Sequence, residues 1–280
     1  MNENNFPWKR NLYILWVAQC IAMIGMSSCI PFLPLYILQL GVQDLAEAQK
    51  WSGLVYSAPF FLSFLITPIW GVLGDKYGRK LMVVRALFGL MSAMLLMGLV
   101  RNVWQLFLLR IFQGGVSGFI AANLSLVSSS SPKEQSGYAI AFLQTSTAVG
   151  MTLGPLFGGA LADGVGIRNV FFVVAAFCFL SAVIVILLVR EKKGIPRQTK
   201  ANLIEDLGFV WANPSLRHFL CSIFLSQAGI IFSSPIFAYY LQKLHTPPRY
   251  LATVTGIMVG CVGVLTVICS PMWGKKNDRD

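Results

Sequence analysis

Residues 68–79 read "PIWGVLGDKYGR", an apolar run that stops abruptly in an acid set among glycines and basic groups. Upstream, the window 51–74 carries no charge. It exceeds the roughly 20 residues needed to cross about 30 Å of hydrocarbon. Downstream, residues 81–100 are apolar again apart from Arg85. A charged hairpin joining two membrane-crossing segments accounts for this pattern. In lipid every backbone group must be satisfied within the segment, so the segments are read as helices.

The same pattern extends along the whole chain. Apolar residues make up 56% of it and charged ones 12%, against roughly 25% charged in a soluble domain. Uncharged windows at 11–43, 135–162, 169–189, 219–242 and 250–274 are each long enough to span. In the 81–100 segment, Arg85 is expected to snorkel from near one end. Residues 102–127 are interrupted only by Arg110. Eight helices are expected, in an all-α integral membrane protein. The first segment is too long and too rich in proline and polar interruptions to be a cleaved signal peptide.

A net charge of +11 raises the question of nucleic acid, and its distribution answers it. With the N-terminus in the cytoplasm, sixteen Lys and Arg fall on that side, five fall outside, and Arg110 lies within the membrane. That asymmetry follows the positive-inside rule and explains the basic character, so no nucleic-acid partner is expected. The six cysteines (Cys20, Cys29, Cys178, Cys221, Cys261 and Cys269) fall within the spans without metal-site spacing, so neither disulfide nor metal is expected.

Three regions are expected. Residues 1–190 form a six-helix bundle, 191–217 a cytoplasmic linker, and 218–280 two further helices with the start of another loop. Within the linker, Leu203, Ile204, Leu207, Val210 and Trp211 keep helical spacing, which suits an interfacial helix or an ordinary linker helix equally. Pro68, Trp70, Gly71 and Asp75 recur as Pro271, Trp273, Gly274 and Asp278, each 203 residues later. Six spans plus a linker produce that offset, as in transporters built from parallel repeats. The terminal "PMWGKKNDRD" (271–280) therefore reads as a second loop of the same kind, broken off before its glycine and basic pair. The chain is expected to be truncated after the eighth helix.

"GVLGDKYGRK" (Gly71–Lys80) resembles the loop signature G-x-L-x-D-x-x-G-R-K of the major facilitator superfamily, matching at Gly71, Leu73, Asp75, Gly78, Arg79 and Lys80. The resemblance implies that Asp75 and Arg79 belong to a cytoplasmic gating network stabilising an outward-open state. A plain cationic anchor is the alternative. "LFLLRIFQGG" (Leu106–Gly115) places Arg110 nine residues beyond Arg101, roughly 13 Å deep and near the midplane. An arginine there must face protein or water, and Gln113 shares its face. Either it is a buried structural residue, or it serves function. Arg110, Gln113 and Gly114 resemble the family's R-x-x-Q-G motif, associated with the proton pathway, although Val116 departs from the small residue usual nearby.

"GMTLGPLFGG" (Gly150–Gly159) carries Gly150, Gly154 and Gly158 at intervals of four, a smooth face for close helix contact, with Pro155 favouring a kink. A generic small-residue interface explains the spacing. Every position nevertheless matches G-x-x-x-G-P-x-x-G-G, the fifth-helix signature of the antiporter branches, Gly159 included. Gly25, Pro31 and Pro34 in "GMSSCIPFLP" resemble the first helix of the twelve-helix drug-efflux branch. The resemblance implies a monomeric inner-membrane exporter of small amphipathic compounds. It would work by alternating access with protons as counter-ion and without a cofactor.

Cavity candidates are Gln19, Met23, Met26, Gln113, Gln144, Gln227, Phe237 and Tyr239, although helix packing is the stronger expectation for any one of them. All eleven acids fall in loops or at span ends, with Asp75 and Asp163 at edges. Arginine does not release a proton, so the coupling carboxyl lies elsewhere or the coupling is not to protons. A metabolite or sugar transporter, an inactive truncated product and a half-transporter needing a second chain stand as alternatives. No nucleophile–base pair, phosphate loop or metal cluster points to an enzyme.

Overall fold

The computed structural model describes residues 8–191, 211–243, 253–258 and 261. They are almost entirely helical, and no strand occurs among them. The first span comprises α1 (Trp8–Cys29), a 3-10 turn at Ile30–Phe32 and α2 (Leu33–Gln39). Pro31 and Pro34 sit at the starts of the two short pieces, where a missing N–H costs least. The chain then crosses as α3 (Leu45–Tyr77) and α4 (Arg79–Leu99). It continues as α5 (Val103–Val116) followed by α6 (Phe119–Ser130), then α7 (Ser136–Val165) and α8 (Ile167–Leu188). Among the described residues six spans are long and apolar enough to cross a membrane, with α5 and α6 together making the fourth. The protein is membrane-embedded.

Local sequence sets several starts. Asp44 caps α3 by accepting from the Glu47 N–H at 2.8 Å, and Asn102 caps α5 from Gln105 at 2.9 Å. The α1 helix lies at the centre, packed on α7 and α8, while α4 packs on α8 and α3 on α5. Leu15, Tyr36, Leu87, Met97, Phe171 and Val174 fill the core. Within it the Tyr36 hydroxyl donates to the Met97 carbonyl at 2.9 Å. By contrast α3 turns Phe60, Phe61, Phe64, Ile69 and Val72 outward, which suits hydrocarbon or further helices.

The span expected over 102–127 is present but is not one continuous helix, because Ser117 leaves the helix and Gly118 takes φ +96° before α6 begins. One expectation is corrected. Arg85 does not snorkel. It is half-buried, its guanidinium stacks 3.4 Å over the Trp70 ring, and it donates to the Ser117 carbonyl at 2.9 Å. The break supplies a backbone acceptor, and an internal acceptor outcompetes the membrane surface.

The seventh helix, α9 (Pro214–Lys243), touches α2, the 3-10 turn and α3. Residues 253–258, also helical, lie within the expected eighth span. Positions 201–210 of the linker pattern, the remainder of the eighth span and the loop copy at 271–280 lie outside the described residues.

Candidate functional site

The loop between α3 and α4 is built around Gly78. Its φ of +104° turns the chain, and its N–H closes the end of α3 on the Gly74 carbonyl at 3.0 Å. Asp75 and Arg79 then meet across the junction at 3.3 Å, and Arg79 also donates to the Ser125 carbonyl of α6 at 2.9 Å. The expected ion pair thus ties three spans at one end. Lys80 turns the other way and donates to the Ile186 and Val189 carbonyls at 2.8 and 2.7 Å. It caps the exposed end of α8 with a cation.

Glu191 completes the arrangement and escaped the sequence reading. Its carboxylate accepts from the backbone N–H of Arg79 at 2.7 Å and of Lys80 at 3.1 Å. It therefore satisfies the first donors of α4 while Lys80 satisfies the last acceptors of α8. A Cβ on Gly78 would stand 2.9 Å from the Glu191 carboxylate. The signal was present: one acid directly after an apolar span, set among Arg190, Lys192 and Lys193.

Beside this loop, a cavity of about 110 Å³ opens between α3, α4 and α6, lined by Trp70, Asp75, Arg79, Arg85, Gly118 and Ser125. The Trp70 indole donates to the Gly115 carbonyl at 2.8 Å. Together Trp70 and Arg85 occupy a carbonyl in the last turn of α5 and one at the break in the fourth span.

Arg110 is buried, and its guanidinium donates to the Val55 carbonyl of α3 at 3.1 Å and to Gln113 at 2.7 Å. The shared face expected for Arg110 and Gln113 is present. Among the described residues no carboxylate contacts Arg110. Gly114, next in the motif, lies directly on Pro59 of α3, where a Cβ would overlap the Pro59 carbonyl. The motif joins α5 to α3 through one buried cation and one bare backbone.

The glycine ladder of α7 forms a seam with α1. A Cβ on Gly150, Gly154 or Gly158 would overlap Met23, Ser27 or Ser28 respectively. The close approach brings the Ser27 hydroxyl to the Gly150 carbonyl at 2.6 Å and the Ser28 hydroxyl to the Gly154 carbonyl at 2.9 Å. Such bonds reinforce small-residue packing in a membrane. Pro155 lies within α7, which stays helical through it.

The cavity candidates separate. Gln19 is fully buried; it donates to Thr147 at 2.9 Å and accepts from Asn123 at 2.7 Å, bridging α1, α6 and α7. Met23 is buried under Gly150, Met26 is half-buried, and Gln144 is exposed. The side chains of Gln227, Phe237 and Tyr239 lie outside the described residues. Asn123, central to this polar bridge, was not singled out by sequence.

Residues 15–279 match the Major Facilitator Superfamily. The chain is 33% identical over 282 residues to the multidrug resistance protein MdtG of Proteus mirabilis, covering 100% of this chain and 70% of that one. With MdtG of Rahnella sp. it shares 36% over 276 residues, covering 97% and 66%. Its fold resembles a bacterial homologue of the human lysosomal transporter Spinster in an inward-facing, unoccupied conformation, at TM-score 0.73 and 20% identity, covering 98% of this chain and 64% of that one. The chain thus spans about two thirds of the length of these relatives. With the α3–α4 loop, the buried arginine and the α7 seam already in place, the match over nearly the whole sequence shows that the chain belongs to the Major Facilitator Superfamily.

Proposed function

We propose that the protein exports small amphipathic compounds, drugs among them, across the cell inner membrane by alternating access. The observation that carries this reading is the α1–α7 seam. The fifth-helix pattern of the antiporter branches is complete, and each of its ladder glycines sits where a side chain would part the two helices. The relatives named multidrug resistance proteins point to the same class of substrate. Asp75, Arg79 and Lys80 act as the gating loop, and Glu191 fixes the helix ends that carry them. The N-terminus is cytoplasmic, since that orientation places sixteen of the basic residues inside.

Protons are the proposed counter-ion. Arg110 does not carry them, because a guanidinium keeps its proton. Its part is to hold α5 on α3 through the Val55 carbonyl. The working unit is a monomer. The test is dye efflux in inside-out vesicles carrying the protein. Accumulation driven by an imposed proton gradient and collapsed by a protonophore is expected; dye movement indifferent to the gradient would overturn proton coupling, and no movement would overturn export.

A further inference from the structure

We propose that Asp163 latches the first bundle to the eighth span at the end opposite the gating loop, holding that end shut in the conformation described. The proposal rests on the alternating-access reading. Asp163 lies two residues before the end of α7. A carboxylate there is unfavourable to its own helix, whose C-terminus is the negative end of the dipole. Its partner explains its place. It accepts from the backbone N–H of Thr253 at 2.7 Å, within the described helical stretch 253–258. A charged acceptor makes the stronger hydrogen bond.

A second contact on the same face supports the first. A Cβ on Gly256 would overlap the Pro155 carbonyl and stand 3.4 Å from the Gly159 Cα. Pro155, Gly159 and Asp163 succeed one another at intervals of four, so they form one stripe along α7. The glycine-rich motif therefore carries two interleaved seams. Gly150, Gly154 and Gly158 join α1 inside the first bundle, and the other stripe joins the eighth span of the second. The inner seam is sealed by fully buried Ser28 and by Ser27. The outer one ends on a half-buried carboxylate that water can take over when the helices part. The α9 helix also meets α2 and the 3-10 turn, which lie at this same end of the first bundle.

The test measures distance and needs no substrate, so a chain that exported nothing would still answer it. Spin labels at Asn169→Cys and Ile257→Cys, both exposed positions, report the gap in the whole chain in proteoliposomes, with Cys221, Cys261 and Cys269 replaced by Ser. Asp163→Ala is expected to raise the ratio of parted to joined molecules by about tenfold or more, the change produced by losing one charge-assisted hydrogen bond. Asp163→Asn, which keeps an acceptor oxygen, gives a smaller change. Thr253→Pro deletes the donor without touching α7 and matches Asp163→Ala. A label pair within the first bundle, Leu108→Cys with Asn169→Cys, stays unchanged if the fold is intact. Unaltered distances in both Asp163→Ala and Thr253→Pro, with that control pair intact, would overturn the latch.

Discussion

Gly154 leaves no room for a methyl group. A Cβ there would overlap the Ser27 hydroxyl, with the Ile24 carbonyl 2.7 Å away. Backbone on that side cannot swing aside as a flexible side chain can. Gly154→Ala is therefore expected to destabilise the bundle by about 1–3 kcal/mol, the usual range for overpacking, read as a lower melting temperature in detergent. Gly164→Ala is the control: nothing lies within 4 Å of its Cβ position, and replacing glycine in a helix gains roughly 0.5–1 kcal/mol. If both variants melt alike, the seam is not what orders α1 on α7. Asp75 presents the opposite case. Its pair with Arg79 is partly exposed, and exposed pairs of this spacing contribute only about 0.3–0.5 kcal/mol. Asp75→Asn is expected to insert and melt like the parent yet lose efflux. Retained efflux in correctly inserted protein would remove Asp75 from the gate.

At the scale of elements, the broken fourth span shows where hydrophobic pattern stops being informative. Period and length identify a membrane segment over 102–127, but both are blind to a turn made by two residues. The cluster Gly114, Gly115, Ser117 and Gly118 was the available signal, since small flexible residues bunched inside a span mark a point where it can be interrupted. Sequence could not show that Trp70 and Arg85, from two other helices, would take up the carbonyls at Gly115 and Ser117. The same blindness explains the wrong expectation for Arg85, whose acceptor exists only because of the break. Glycine spacing in α7 was legible because steric demand at intervals of four is a property of the helix itself. Arg85→Leu keeps the apolar stem and removes the donor. An unpartnered carbonyl at this depth costs about 1–3 kcal/mol, so the variant is expected to melt lower than Lys80→Met, whose loss exposes helix-end carbonyls that water can reach. Equal melting of the two would mean that the break needs no splint.

At the scale of the molecule, the packing divides unevenly along the chain. The extensive seams, α1 on α7 and α8, α4 on α8 and α3 on α5, all join helices before residue 189. Polar cross-links also close the first part on itself: Asn11 exchanges two hydrogen bonds with the Arg190 backbone, at 2.6 and 3.2 Å, and so ties the start of the first span to the end of the sixth. Glu191 locks the same end to the start of α4. Beyond residue 191, the described chain meets the bundle through α9 at α2, the 3-10 turn and α3, and through the Asp163 and Gly256 contacts. A bundle whose core, caps and end-to-end ties are internal has the elements of an independent folding unit. Residues 1–191 expressed alone are therefore expected to insert, elute as one species in detergent and retain a cooperative melt within about 5 °C of the whole chain, a shift that corresponds to roughly 1–2 kcal/mol for a unit of this size. Truncation before Glu191, at residue 188, removes the carboxylate and the Val189 and Arg190 backbone groups together, and that piece is expected to melt lower still. Aggregation of the 1–191 piece under conditions that keep the whole chain dispersed would show that α9 and the eighth span are needed to fold the first bundle, and not only to work against it.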